Sequence, residues 1–206
     1  EHGSFRKYLR SHEDYDAHNR TAHGGTIPGT AVGFYSNEDK AAHFWKREDE
    51  GVTPLAHVVR HECLHQVMDR WIPFEDDPTA RPHFWVYEGF ARYFESVFNF
   101  DGKVLTGYPR HPPFQVARSL AAKGKGLKLG ELFALTQRDM GDHYDQAAGV
   151  AHFFMHAGAG EFRERFLNYI RIVHRGEAEA GTFESVFGQP PEDFDTPYRD
   201  YIKGLK

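Results

Sequence analysis

Two histidines four residues apart carry the strongest chemical signal in this sequence. His61 and His65 flank Glu62 in the pentapeptide His-Glu-Cys-Leu-His. Residues at this spacing lie on one face of an α-helix, so both imidazoles can bind one metal ion. Glu62 is adjacent to that face, where its carboxylate can take a proton from a metal-bound water. The pentapeptide therefore indicates a catalytic metal site, and the alternative interpretation is a pair of core or surface histidines on a structural helix.

A catalytic zinc site needs a third protein ligand and an open position for water. Glu88 is the best candidate, because it lies in the next predicted helix after the histidine pair. The aromatic residues around Glu88 predict that its side chain is buried, and a buried carboxylate needs a partner. Gly89 lacks a β-carbon and would let this helix approach the histidine helix closely. Glu95 lies about two turns after Glu88 on the same face, and we expect it to accept the free ring N–H of His61 or His65.

The elements that position these residues begin with a small β-hairpin. Short runs rich in β-branched and aromatic residues flank a turn signal at 36–40 and predict two strands. The predicted strands are Thr30–Tyr35 and Ala42–Trp45. Residues 1–26 are polar, and we interpret them as a loosely structured segment with a short helix from Ser4 to Ser11. We predict that residues 27–206 form a single domain.

Helices dominate the rest of the chain. Pro54 after Thr53 is a favoured helix start, and the histidine helix is expected to reach about Arg70. The second helix is predicted from Phe84 to Phe98. Further helices are predicted at 114–123, 129–135, 144–157, 162–173, 183–187 and 190–205. The fold class is therefore α+β and mostly α, with a small sheet followed by a helical body.

Composition excludes several classes of protein. The 206 residues carry 25 Lys and Arg against 30 Asp and Glu, a net charge of −5, which excludes the broad basic surface of a general nucleic-acid binder. No apolar run approaches the length of a transmembrane helix. The lone cysteine, Cys63, excludes an internal disulfide framework and a zinc site made of several thiolates. We interpret Cys63 as a core residue because it points away from the histidine face.

Other histidines have simpler interpretations. The histidines and acids of residues 12–23, including His12, His18 and His23, allow a second metal site, but a solvated segment is favoured there. His152 and His156 also have helical spacing, but no acid lies between them. We predict that these two are hydrogen-bonded histidines within an apolar helix.

The two central motifs together resemble a known group of enzymes. His-Glu-x-x-His followed by Trp-x-x-Glu-Gly-x-Ala-x-Tyr-x-Glu, residues 61–65 and 85–95, is similar to the gluzincin clan of zinc metallopeptidases. Within that clan the chain most resembles the small peptidase-MA-like bacterial domains of the DUF1570 type, over most of residues 27–204. The resemblance implies a zincin-like metallopeptidase domain with its metal site between two helices.

The resemblance also implies roles for individual residues. It assigns one zinc ion (Zn²⁺) to His61, His65 and Glu88, and the general base to Glu62. The resemblance makes Glu95 a carboxylate that accepts a hydrogen bond from one of the ligand histidines. Tyr144 is a candidate donor to the oxyanion, with His143 as a second candidate at the same place. A packing tyrosine at the start of a buried helix is the alternative for Tyr144.

The expected activity is zinc-dependent hydrolysis of peptide bonds, with a peptide or protein substrate and endopeptidase action favoured. Aminopeptidase specificity is not supported, because Tyr87 stands where those relatives have asparagine and their Gly-x-Met-Glu-Asn motif is missing. An extended substrate is expected to pair with the edge of the Thr30–Tyr35 strand. The alternatives are a non-catalytic zinc-binding module and a zinc hydrolase acting on other bonds. Proteins of this type are commonly exported, which favours a secreted or cell-envelope location.

Overall fold

A computed structural model describes residues 6–23, 32–45, 54–72 and 82–206. The chain divides into two compact units, Glu1–Arg70 and Trp71–Lys206. The fold is α+β and mostly helical, as the sequence predicts. Thr53, Thr30 and Ala31 of the predicted elements lie outside the described residues. The assignment of 27–206 to a single domain stays a prediction.

The first unit is built around a three-stranded sheet. Its elements are β1 (Arg6–Leu9), α1 (His12–His23), β2 (Gly33–Ser36), β3 (Ala41–Trp45) and α2 (Leu55–Trp71). The strand order is β1-β3-β2, with β1 parallel and β2 antiparallel to β3. The β2–β3 hairpin confirms the sequence prediction within the described residues.

The prediction of a short helix from Ser4 to Ser11 in a loosely structured segment is wrong for the described residues, which begin at Arg6 and form a strand and a helix. Arg6–Leu9 is a strand that pairs in parallel with β3, and the helix starts afterwards at His12. Ser11 ends the extended segment and caps this helix, because its Oγ accepts the N–H of Asp14 at 3.1 Å. The pairing partner of β1 lies more than 30 residues further along the chain, so the local sequence does not predict that Arg6–Leu9 forms a strand.

Contacts within the first unit hold α2 to the sheet. A β-carbon on Gly33 would lie 2.8 Å from Cγ1 of Val58, so glycine permits close packing of β2 and α2. Nearer the end of α2, Gln66 Nε2 donates to the carbonyl of Lys40 at 2.9 Å. Asp69 accepts a hydrogen bond from the Tyr35 hydroxyl and lies 3.0 Å from Lys40 Nζ. These contacts fix the position of the histidine helix within this unit.

The second unit is a helical body with one hairpin. Its elements are α3 (Phe84–Phe94), β4 (Phe98–Phe100), β5 (Lys103–Leu105), α4 (Pro112–Lys123), α5 (Leu129–Phe133), α6 (Gln137–Met140), α7 (Tyr144–His156), α8 (Arg163–His174), α9 (Thr182–Phe187) and α10 (Asp195–Gly204). Helix α7 is buried from Gln146 to Phe154, as its apolar character predicts. Helix α4 ends where predicted, with Gly124 in the left-handed conformation at φ 64°.

The second predicted helix is too long at its end. It stops at Phe94, and Phe98–Phe100 pairs with Lys103–Leu105 instead. Asp101 and Gly102 form the two-residue turn, with φ values of 51° and 72° that suit a type I′ hairpin. The Asp-Gly pair is the sequence signal that would have predicted this hairpin.

Helix α3 packs directly against α7. A β-carbon on Gly89 would lie 2.8 Å from the backbone carbon and oxygen of Ala147, so only glycine fits at this crossing. The close neighbour of Gly89 is therefore in α7, and the expectation that Gly89 also lets α3 approach the histidine helix stays a prediction. Aromatic stacking completes the core, including Trp85 on Phe133 with ring centroids 4.3 Å apart.

Candidate metal centre

Helix α2 presents the histidine pair on one face. The rings of His61 and His65 lie edge to face, with centroids 4.9 Å apart and planes at 76°. His65 is buried at 3% exposure, while His61 and Glu62 are half-buried. Two imidazoles held this closely by one helix can bind the same cation.

A tyrosine of α1 lies in the electrostatic field of Glu62. Tyr15 is completely buried, and burial together with the negative charge of Glu62 raises the pKa of its phenol. Tyr15 therefore stays protonated at neutral pH. No motif in the sequence singles out this residue, because α1 and α2 are separated by the whole hairpin.

The two predicted carboxylates lie in α3 and at its end, with Glu88 inside the helix and Glu95 as its C-cap residue. Glu88 is half-buried, and Glu95 is buried at 2% exposure. Both oxygens of Glu95 accept from Arg92 Nη1 at 3.2 Å, and His111 Nε2 lies 3.7 Å from Oε2. The role predicted for Glu95 behind His61 or His65 stays a prediction.

Arg92 links this helix to the start of α7. Its Nη2 and Nε donate to Oδ1 of Asp145 at 2.9 and 3.2 Å. Burial alone would lower the pKa of Arg92, but the charges of Glu95 and Asp145 reverse this effect and raise it. Sequence reasoning did not identify Arg92 or Asp145. The available signal was the spacing of Arg92 and Glu95 at i and i+3.

Tyr144 lies at the first turn of α7 and is half-buried. Burial raises the pKa of its phenol to about 12, the charge of Glu88 adds to the rise, and Arg92 partly offsets it. The second unit therefore brings Tyr144 into the field of Glu88 and keeps its hydroxyl protonated at neutral pH. His143, the second candidate donor, precedes it in a short 3₁₀ turn and is also half-buried.

The other helical histidine pair is structural, as predicted. His152 Nε2 donates to the carbonyl of Gly107 at 3.1 Å, and its Nδ1 accepts from the Tyr201 hydroxyl at 2.7 Å. His156 Nε2 is hydrogen-bonded to the Tyr93 hydroxyl at 2.8 Å. These bonds satisfy the ring nitrogens of His152 within the protein.

Comparison with protein families finds no family model that matches the chain, and comparison with curated proteins finds no matching sequence. In the part of the chain that the structure describes, no helix is both long enough and apolar enough to cross a membrane. A functional assignment must therefore rest on the chemistry of the site.

Proposed function

We propose that this protein is a zinc-dependent endopeptidase with a zincin-like fold. The observation that carries the proposal is the helical face shared by His61 and His65, with Glu62 beside it. The pentapeptide alone predicts only spacing. The structure adds that both rings lie close together on one helix, which supports a shared metal ion.

The donor set fits zinc. Two imidazoles and one carboxylate are ligands that catalytic zinc sites use, and His61, His65 and Glu88 would supply them. When bound, zinc acts as a Lewis acid on a carbonyl oxygen and lowers the pKa of water toward neutrality. The half-buried state of Glu88 supports this role, because the cation would compensate the cost of its partial burial.

The chain's own residues then divide the proton transfers. The Glu62 carboxylate takes a proton from the attacking water and delivers it to the leaving amine nitrogen as the peptide C–N bond breaks. The Tyr144 hydroxyl donates a hydrogen bond to the substrate oxygen as negative charge develops on it. Arg92 orients both helices of this region through its bonds to Glu95 and Asp145.

The sheet offers a surface for an extended peptide. Strand β2 is at the edge of the described sheet, since the order is β1-β3-β2. A substrate in extended conformation can add to this edge through backbone hydrogen bonds. Such binding depends little on side chains, which suits an enzyme that cleaves within proteins.

The test compares wild type with Glu62→Gln on a mixed protein substrate, with zinc content measured on the same samples. We expect Glu62→Gln to keep the zinc and to lose at least about 100-fold in cleavage rate, since general-base catalysis is worth roughly that much. Glu164→Gln on the exposed side of α8 is the matched control and should cleave like wild type.

Two results would contradict the proposal. One is equal cleavage by wild type and Glu62→Gln. The other is a His61→Ala or Glu88→Ala variant that binds as much zinc as wild type. Zinc binding without any cleavage would instead support the non-catalytic module, and cleavage of esters but not peptides would support a different hydrolase.

A further inference from the structure

The first unit gathers a second group of metal-binding side chains, separate from the histidine pair of α2. His18 comes from α1, Asp39 from the β2–β3 turn and His43 from β3. One potential ligand atom from each residue lies within 4.8 Å of the other two. We propose that these three residues form a second site for a divalent transition metal, of which Zn²⁺ is the best match.

The distances within the cluster suit a shared ion. His43 Nε2 lies 3.1 and 3.2 Å from the two carboxylate oxygens of Asp39. In a tetrahedral zinc site with bonds of about 2.0–2.1 Å, neighbouring ligand atoms are about 3.3 Å apart. The Asp39 and His43 atoms are therefore already at ligand spacing. The His18 ligand atom lies within 4.8 Å of the other two, so metal binding requires it to approach them by at most about 1.5 Å.

The cluster has one fully buried histidine, His43, and one half-buried histidine, His18. The His43 ring is completely buried and lies between two other rings, parallel to Phe34 at 4.6 Å and 4°, and against His18 at 4.6 Å and 25°. Phe34 therefore fixes the orientation of His43 from one side. His18 is half-buried, and its stacking on His43 places the two imidazoles side by side.

The hairpin turn holds the carboxylate in place. Asp39 Oδ1 accepts the N–H of Ala41 at 3.3 Å, and the Asp39 N–H donates to Ser36 Oγ at 3.5 Å. The left-handed conformation of Lys40, at φ 55°, closes this turn. Asp39 is exposed, so an ion can enter from solvent and keep a water as its fourth ligand.

Two imidazoles and a carboxylate favour zinc over magnesium or calcium, which prefer oxygen ligands. The ion would attach α1 to the sheet through residues that are 25 positions apart in sequence. The expected consequence is a more stable first unit when metal is bound. None of the three ligands belongs to the proposed catalytic set, so the two sites can be tested separately.

The experiment titrates Zn²⁺, and Co²⁺ as a spectroscopic probe, into the metal-free full chain. The starting protein is the His61→Gln/His65→Gln variant, which removes the proposed catalytic pair. We expect it to bind one ion and wild type to bind two. Adding Asp39→Asn or His18→Gln should weaken the remaining site at least about tenfold and change the Co²⁺ absorption bands. Asp14→Asn on α1 is the charge-matched control and should bind like its parent.

The outcomes separate this site from the proposed function. A His61→Gln/His65→Gln variant that binds no ion overturns the second site and leaves the catalytic proposal intact. Unchanged affinity in both Asp39→Asn and His18→Gln also overturns it. Wild type that binds one ion, retained in His61→Gln/His65→Gln but lost in Asp39→Asn, supports the second site and contradicts the catalytic one. Circular dichroism of the metal-free variants checks that each is folded.

Discussion

A buried histidine in α7 predicts that the second unit loses stability in mild acid. His152 is 3% exposed, and burial lowers its pKa from the ordinary value of 6.5 to about 4, with the nearby His156 adding to the effect and the bond to Gly107 opposing it. Protonation would also place a hydrogen on Nδ1, which accepts a hydrogen bond from Tyr201. The charged form of His152 is therefore disfavoured in the folded chain.

Proton linkage gives the direction and the size of the change in unfolding free energy with pH. The unfolded chain takes up this proton near pH 6.5 and the folded chain only near pH 4, so acid favours unfolding. The stabilisation is complete above pH 6.5 and is lost as the pH falls toward 4. The total is about 3 kcal/mol, of which about 2 kcal/mol is already lost at pH 5.0. At that pH most carboxylates keep their charge, so the contribution of His152 can be separated from theirs.

Urea unfolding at pH 7.5 and pH 5.0 measures this effect, and NMR titration of the histidine ring protons measures the pKa directly. Between pH 7.5 and pH 5.0, the free energy of unfolding should fall in both proteins. We expect the fall to be about 2 kcal/mol smaller in His152→Gln than in wild type. Gln137→Ala, at an exposed and uncharged residue of the same unit, is the control and should fall like wild type. A His152 pKa near 6.5 in the folded protein, or equal losses in wild type and His152→Gln, would refute the reasoning.

Two further predictions concern the neighbourhood of Glu88. Gly89→Ala forces a β-carbon within 2.8 Å of the Ala147 backbone, so we expect a loss of about 1–3 kcal/mol in urea unfolding. Gly204→Ala, with nothing within 4 Å, is the control, and equal stability of the two variants would show that α3 and α7 can separate without cost. Tyr144→Phe should lower kcat roughly 100-fold while zinc content and KM stay close to wild type. An unchanged kcat would leave Tyr144 with a packing role only, and His143→Gln would then be the variant to measure.

Sequence patterns predicted elements whose signals are local. Gly124 ends α4 because the residue that caps the helix adopts a left-handed conformation, which glycine allows. The apolar run of α7 predicts a buried helix from its own residues. The spacing of His61 and His65 is likewise a property of one helix. Patterns that extend over ten or fifteen residues were sufficient for each of these predictions.

Other features depend on partners that are distant in sequence. Arg6–Leu9 becomes a strand through pairing with β3, a choice that its own residues do not encode. The bonds from Arg92 to Asp145 and the approach of His18 to His43 exist only once separate elements pack together. The sequence by itself determined the helical character of the chain and the position of the pentapeptide. Tertiary structure decided which buried charges share a partner, because that depends on distances between elements and not on spacing along the chain.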